Sequence, residues 1–165
     1  MQPALLIDQT LLDALSLEAK SSPRQRKNRN FHRHDTDLAH RLLNAIEPGS
    51  YVAPHRHADP SKDETMIVLR GQLGIVLFDA AGRIAQTAVL AAGGICGINI
   101  PHGTYHSVVA CQSGTLFFEA KAGPYWPLSE AERAPWAPVE GDPAAAVYAR
   151  RLAELFEAAN GCPVA

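Results

Sequence analysis

Residues 47–71 read EPGSYVAPHRHADPSKDETMIVLRG, which places His55 and His57 one residue apart and Glu64 a short loop later. In a strand, side chains at i and i+2 share a face, on the order of 6–7 Å apart along the chain, so the two imidazoles can converge on one ion. Glu64 opens ETMIVLR, where Glu64, Met66 and Val68 share a face. Its carboxylate reaches the same interior if the two strands pair. A second cluster, PHGTYH, uses Pro101 and Gly103 for a tight turn and launches a strand on which His106, Val108 and Ala110 share one face. Three imidazoles and one carboxylate from three strands make a closed set of protein ligands. An octahedral ion would keep two positions for water, oxygen or substrate.

Outward from that stretch the texture is uniform. From Arg41 onward, RLLNAIE, SYVAPHRH, ETMIVLR, QLGIVLFD, RIAQTAVL, GINI, YHSVVA and TLFFEAK are short aliphatic or β-branched runs, broken by glycine or proline. Their spacing predicts a mainly β fold, an antiparallel sandwich or barrel with the eight strands of a jelly roll. DAAGR, Asp79 to Arg83, is a hairpin turn in which Gly82 can take a positive φ. Upstream, Leu5 to Lys20 carries Leu11, Leu12, Leu15 and Ala19 at helical spacing, with Asp8 or Thr10 as N-cap and Pro23 beyond the end. Ser21 to Leu38 is polar and aperiodic, a loop or short strand pieces. Downstream, GPYWPLSEAERAPWAPVEGDP reads as an irregular tail wrapping the sheet, held by two tryptophans. Pro143 to Ala159 closes the chain as a helix with Val147, Leu152, Leu155 and Phe156 near one face, Pro143 near N1 and Gly161 as its stop.

The chain has 165 residues, 47% of them hydrophobic, enough for one well-buried core. The expectation is a single domain over residues 1–165: an N-terminal helix and basic connector (1–40), a β core (41–121), and a Pro-rich tail with closing helix (122–165). A formal net charge of −2 gives no global preference for nucleic acid or a membrane surface. With no apolar run of spanning length and no signal-peptide pattern, a cytoplasmic location is expected. Cys96, Cys111 and Cys162 are an odd number without CxxC spacing, so they are expected as small buried apolar residues rather than a disulfide framework or zinc ribbon.

Gly49-x5-His55-x-His57-x6-Glu64-x6-Gly71 resembles the first cupin motif, and Gly94-x6-Pro101-x-Gly103-x2-His106 resembles the second. More narrowly, SPRQRKNRNFH, RLLNAIEPGSYVAPHRH and FFEAKAGPY resemble the WbuC family, small bacterial cupin-fold metalloproteins often found near polysaccharide or O-antigen genes. The resemblance implies a cupin jelly-roll β-barrel with an N-terminal helix. It also implies one divalent transition metal ion, such as zinc, iron, manganese or nickel, held by His55, His57, Glu64 and His106. The six residues between His57 and Glu64 exceed the usual interval. Asp59 is therefore an alternative carboxylate, although Pro60 should end the first strand beside it. Asn28, Asn30, Phe31 and His32 lie in the resembling stretch and are the candidate pocket lining.

The remaining polar residues divide between two readings each. Arg26 and its neighbours in RQRKNRNFHRH, Arg24 to His34, suit an anionic substrate such as a phosphate or carboxylate near the barrel mouth, against a solvated connector. Arg26, Asn28, Asn30 and His32 are thus the substrate-binding candidates. His102 is either an orienting neighbour or a solvated turn residue. Tyr105 either donates its hydroxyl to a substrate oxygen or, pointing opposite to His106 on a regular strand, packs, which is the favoured reading. Glu119 and Lys121 share a face of the last strand, as a proton-transfer pair inside the barrel or as a surface ion pair. The leading expectation is a metal-dependent enzyme acting on a small polar molecule such as a sugar derivative, of isomerase, epimerase or dioxygenase type. The rivals are a non-catalytic small-ligand binding or regulatory module and a purely structural metal. A homodimer is expected, with no nucleic-acid partner.

Overall fold

The computed structural model describes residues 4–160, with side chains described to residue 157; Gly161, the expected helix stop, and Cys162 lie outside. Asp8 caps the first helix, α1 (Gln9–Ser21), its carboxylate accepting from the Leu11 N–H at 2.9 Å. The helix starts four residues later than the periodicity suggests, because Leu5, Leu6 and Ile7 stay exposed while Leu12, Leu15 and Ala19 form the buried stripe.

Eight strands follow: β1 (Arg26–Asn30), β2 (Ala39–Ile46), β3 (Glu64–Arg70), β4 (Gln72–Phe78), β5 (Ile84–Ala91), β6 (Gly97–Ile100), β7 (Tyr105–Ala110) and β8 (Thr115–Ala122). They form two antiparallel sheets, ordered β1-β2-β8-β3-β6 and β5-β4-β7. The inner faces meet over Ile46, Met66, Val68, Leu73, Ile75, Leu90, Val108 and Phe117. This is the expected mainly β jelly roll. DAAGR is the expected hairpin turn: Gly82 has φ +81°, and the Asp79 carboxylate accepts from the Ala81 and Arg83 N–H groups.

Two of the expected strand assignments change. SYVAPHRH is not a strand: only His55 forms an antiparallel bridge, to His106 on one side and Arg133 on the other. Pro54 has no N–H to extend the ladder. Its carbonyl instead accepts from Ala134 N–H at 3.2 Å. The eighth strand is β1, a short strand piece within the polar segment expected as loop or short strand pieces, which adds to the sheet edge in register Arg26↔Ile46 and Asn28↔Asn44. Edge strands tolerate such polarity because one side faces solvent.

α1 lies on the outer face of the larger sheet, against Leu43, Ala45 and Leu116. The closing helix, α2 (Ala145–Asn160), packs on the smaller sheet through Leu152 and Phe156, whereas Val147 and Leu155 of the expected face are exposed. Phe156 sits over Gly74, whose missing side chain leaves room for the ring. Of the two tryptophans, Trp136 anchors the tail against Phe78 and Tyr105, while Trp126 is 67% exposed. Cys111 is buried as expected; Cys96 is exposed.

Candidate metal centre

His55, His57, Glu64 and His106 meet between the two sheets, with one ligand-type atom from each lying within 4.8 Å of all the others. Each arrives by a different local device. Glu64 is the first residue of β3 and His106 the second of β7, in phase with the core residues Met66 and Val108. His55 is pinned by reciprocal backbone bonds to His106, of 3.1 and 2.8 Å. His57 is held by its carbonyl, which accepts from Gly103 N–H at 2.7 Å, so the PHGT turn that launches His106 also fixes His57.

The imidazole tautomers follow from their neighbours. Nδ1 of His55 lies 3.0 Å from Ala53 O, and Nδ1 of His106 lies 3.0 Å from Thr104 O. A carbonyl accepts only, so both Nδ1 atoms carry the proton and Nε2 is left to face the centre. Nε2 of His57, Nε2 of His106 and Oε2 of Glu64 are buried without a hydrogen-bond partner among the described residues. Oε2 nevertheless lies 2.9 Å from His106 Nε2 and 3.6 Å from His57 Nε2. Buried polar atoms normally find partners, and unmatched donor atoms converging on one point call for a cation.

The protonation directions have the same origin. Burial pushes His55 down to about 3, helped by His106, which keeps it neutral and available as a ligand. Burial would lower His106 and raise Glu64; the Glu64 carboxylate outweighs burial and raises His106, while Lys121, then His106 and His57, hold Glu64 well below the usual carboxylate range. A cation between them, proton or metal, satisfies both groups.

Behind Glu64 lie Glu119 and Lys121, for which both a pair inside the barrel and a surface ion pair were open, and they are inside. Lys121 Nζ donates to Glu64 Oε1 at 3.0 Å and to Glu119 Oε1 at 2.6 Å. Asn44 Nδ2 donates to the other Glu119 oxygen at 2.8 Å. Glu119 and Glu64 are buried, and the Lys121 side chain is only 19% exposed. Burial, then the Glu64 charge, pushes Glu119 up to about 7, while its two carboxylate partners raise Lys121 despite burial. The signal was present in TLFFEAKA: Glu119 and Lys121 alternate in phase with buried Phe117.

The centre borders two cavities. One, of about 430 Å³, is lined by polar Arg26, Asn28, Asn44, Glu119 and Lys121 together with apolar Val52, Met66, Val108 and Phe117. A smaller one, of about 190 Å³, reaches His57 and Lys121 from the tail, past Tyr125 and Trp126.

Of the substrate-binding candidates, Arg26 and Asn28 line the larger cavity, and Asn30 and His32 do not. Asn30 accepts from Asn28 Nδ2 at 2.7 Å, and buried His32 stacks on His40 with centroids 3.9 Å apart. Arg26 is already engaged by Glu140, Tyr51 O and Ser50. Phe31 packs against Phe118. Asp59 is exposed and bonds Ser61, outside the cluster. His102 is exposed and paired with Asp63. Tyr105 packs away from the centre, with Arg56 over its ring at 4.6 Å.

Solved structures share this architecture at low sequence identity. A cupin superfamily protein from Desulfitobacterium hafniense aligns with TM-score 0.51 at 14% identity, over 74% of this chain and 93% of that one. A conserved protein of unknown function from Streptococcus pyogenes aligns with TM-score 0.51 at 15% identity, over 76% and 93%. KdgF from a Halomonas species aligns with TM-score 0.49 at 20% identity, over 64% and 84%. The first shows that the fold is that of a cupin. No curated protein matches the sequence. No helix among the described residues is long and apolar enough to cross a membrane. The model of the family described as a domain of unknown function, DUF6016, matches residues 7–90, and the chain belongs to that family.

Proposed function

We propose that this cupin is a metal-dependent enzyme of isomerase or epimerase type, acting on a small polar molecule such as a sugar derivative. One divalent transition metal would be held by His55, His57, Glu64 and His106. The observation carrying this reading is the set of three buried, unpartnered donor atoms on His57, Glu64 and His106, joined by His55 with its Nε2 facing them. Three imidazoles and a carboxylate suit zinc, iron, manganese or nickel. The resemblance of residues 22–32 and 41–57 to the WbuC cupins supports the same reading, as does the cupin fold.

When bound, the ion supplies Lewis-acid polarisation of a substrate oxygen. The chain does the rest. Val52, Met66, Val108 and Phe117 give the cavity an apolar lining beside its charged groups, which strengthens their interactions. Asn28 and Asn44 offer amides to hydroxyl groups. Glu119 Oε1 and Oε2, held by Lys121 and Asn44, are the atoms placed to take a proton from a substrate carbon or hydroxyl and return it. The test is metal-reconstituted protein incubated in D2O with a panel of hydroxy-carbonyl sugars and sugar acids, followed by NMR. Deuterium entry next to a carbonyl, lost in Glu119→Gln, is the expected result. Oxygen uptake requiring both iron and substrate would replace proton transfer with dioxygenase chemistry, and unchanged ligand across all metals would favour a binding module.

A further inference from the structure

Across three neighbouring strands the register places His40, Lys121 and Glu64 in one row, and Leu42, Glu119 and Met66 in the next. Directly opposed residues have Cβ atoms roughly 4.5–5.5 Å apart, so Lys121 meets Glu64 across the ladder and Glu119 along its own strand. An ammonium has three N–H donors. Two are spent on Glu64 Oε1 and Glu119 Oε1, and no third acceptor is found among the described residues. The Lys121 side chain borders both cavities, and through Glu64 it sits directly beside the four-residue cluster.

We propose that the third N–H of Lys121 is a ligand-binding donor, which takes an anionic or carbonyl oxygen of a small molecule lying against the metal-ligand cluster. The inference rests on the metal reading above and adds a recognition group to it. The two carboxylates hold the ammonium in place before any ligand arrives, so little ordering of a flexible side chain remains to be done on binding. The other cations lining the larger cavity are already engaged: Arg24 by Glu140, Arg26 by Glu140, Tyr51 O and Ser50, and Lys27 by Glu18 at 3.6 Å. The ligand class follows: a compact molecule with an oxygen of high negative charge within reach of both the cluster and Lys121, such as a 2-hydroxy or 2-oxo carboxylate or an enediol.

Cobalt(II)-loaded protein, titrated with azide and read by visible absorption, tests this without knowledge of the substrate. The variants are Lys121→Met and the double variant Lys121→Met/Glu119→Gln. The double variant removes one positive and one negative charge, so the net charge around the cluster matches wild type while the donor is gone. Both should retain the fold by circular dichroism, and the double variant should bind cobalt as wild type does. Azide should bind each about ten- to hundredfold more weakly, the loss of one charge-assisted hydrogen bond in a desolvated site. Azide binding within about threefold of wild type in the double variant overturns the proposal. No cobalt uptake by wild type overturns the metal reading, and this inference with it. If neither variant folds, the ammonium ¹⁵N–¹H resonance of Lys121 in zinc-loaded wild type decides. It should shift on azide addition, and a resonance that stays put overturns the proposal.

Discussion

Removing the Lys121 ammonium should destabilise the metal-free protein severely, and the cause is specific. Its Nζ lies 3.0 Å from Glu64 and 2.6 Å from Glu119, and those carboxylate side chains are 3% and 9% exposed. Lys121→Met keeps most of the aliphatic stem but leaves two buried carboxylates facing each other with no ammonium between them. Breaking a buried ion pair from one side costs about 3–5 kcal/mol. At roughly 2–4 °C per kcal/mol for a chain of this size, the melting temperature should fall by roughly 6–20 °C in chelator at pH 7. Adding Glu119→Gln removes the second orphaned charge, so the double variant should recover about 1–3 kcal/mol as a positive coupling. Direction in pH is fixed too. Without Lys121 the folded-state carboxyls bind protons more tightly, so the deficit is largest at high pH and shrinks as pH falls. Thermal melts of wild type, both single variants and the double variant measure all of this. A Lys121→Met protein melting within about 2 °C of wild type would refute the buried-triad argument, because surface pairs are the ones worth so little.

Three further outcomes follow. Gly74→Ala brings a methyl to 2.6 Å from the Phe156 ring, so α2 must shift; overpacking should cost about 1–3 kcal/mol in thermal melts, and Phe156→Leu should relieve it. Glu132 is pushed towards protonation by burial but held down to about 2, from an ordinary 4.5, by hydrogen bonds from Ser129 and the Ala58 N–H. Its contribution is therefore full above pH 4.5 and lost as pH falls through 2; the stability gap between wild type and Glu132→Gln, followed by denaturant titration, should close over that window. Divalent metal at 100 times its dissociation constant should stabilise the protein by about 2.7 kcal/mol, raising the melting temperature by roughly 5–11 °C over chelated protein.

The strand-rich core was legible because Glu64-Met66-Val68 and His106-Val108-Ala110 are period-2 rows, and the resemblance to the two cupin motifs pointed to Glu64 and His106 meeting His55 and His57 at one centre. What escaped was decided by partners distant in sequence. The polar sequence of β1 left loop and short strand both open, and the free edge of β2 decides for the strand. SYVAPHRH looks like a strand and is prevented from being one by Pro54, its backbone shared between β7 and the tail. Asn30 and His32 sit in the same stretch as Arg26 and Asn28, but the Asn28 amide and the His40 ring absorb them. Glu119 and Lys121 carry the same alternation as Phe117, but their charge left the surface open too, and only the contacts with Glu64 and Asn44 put them inside.

The central claim is that His55, His57, Glu64 and His106 hold one divalent transition metal. Elemental analysis of protein purified without a histidine tag, wild type beside His57→Ala and Glu64→Ala, tests it most directly. The account predicts about one equivalent of a single transition metal in wild type, since one closed set of four donors serves one ion, and loss of that metal in both variants. Wild type without metal after reconstitution, or full occupancy retained in Glu64→Ala, would contradict it.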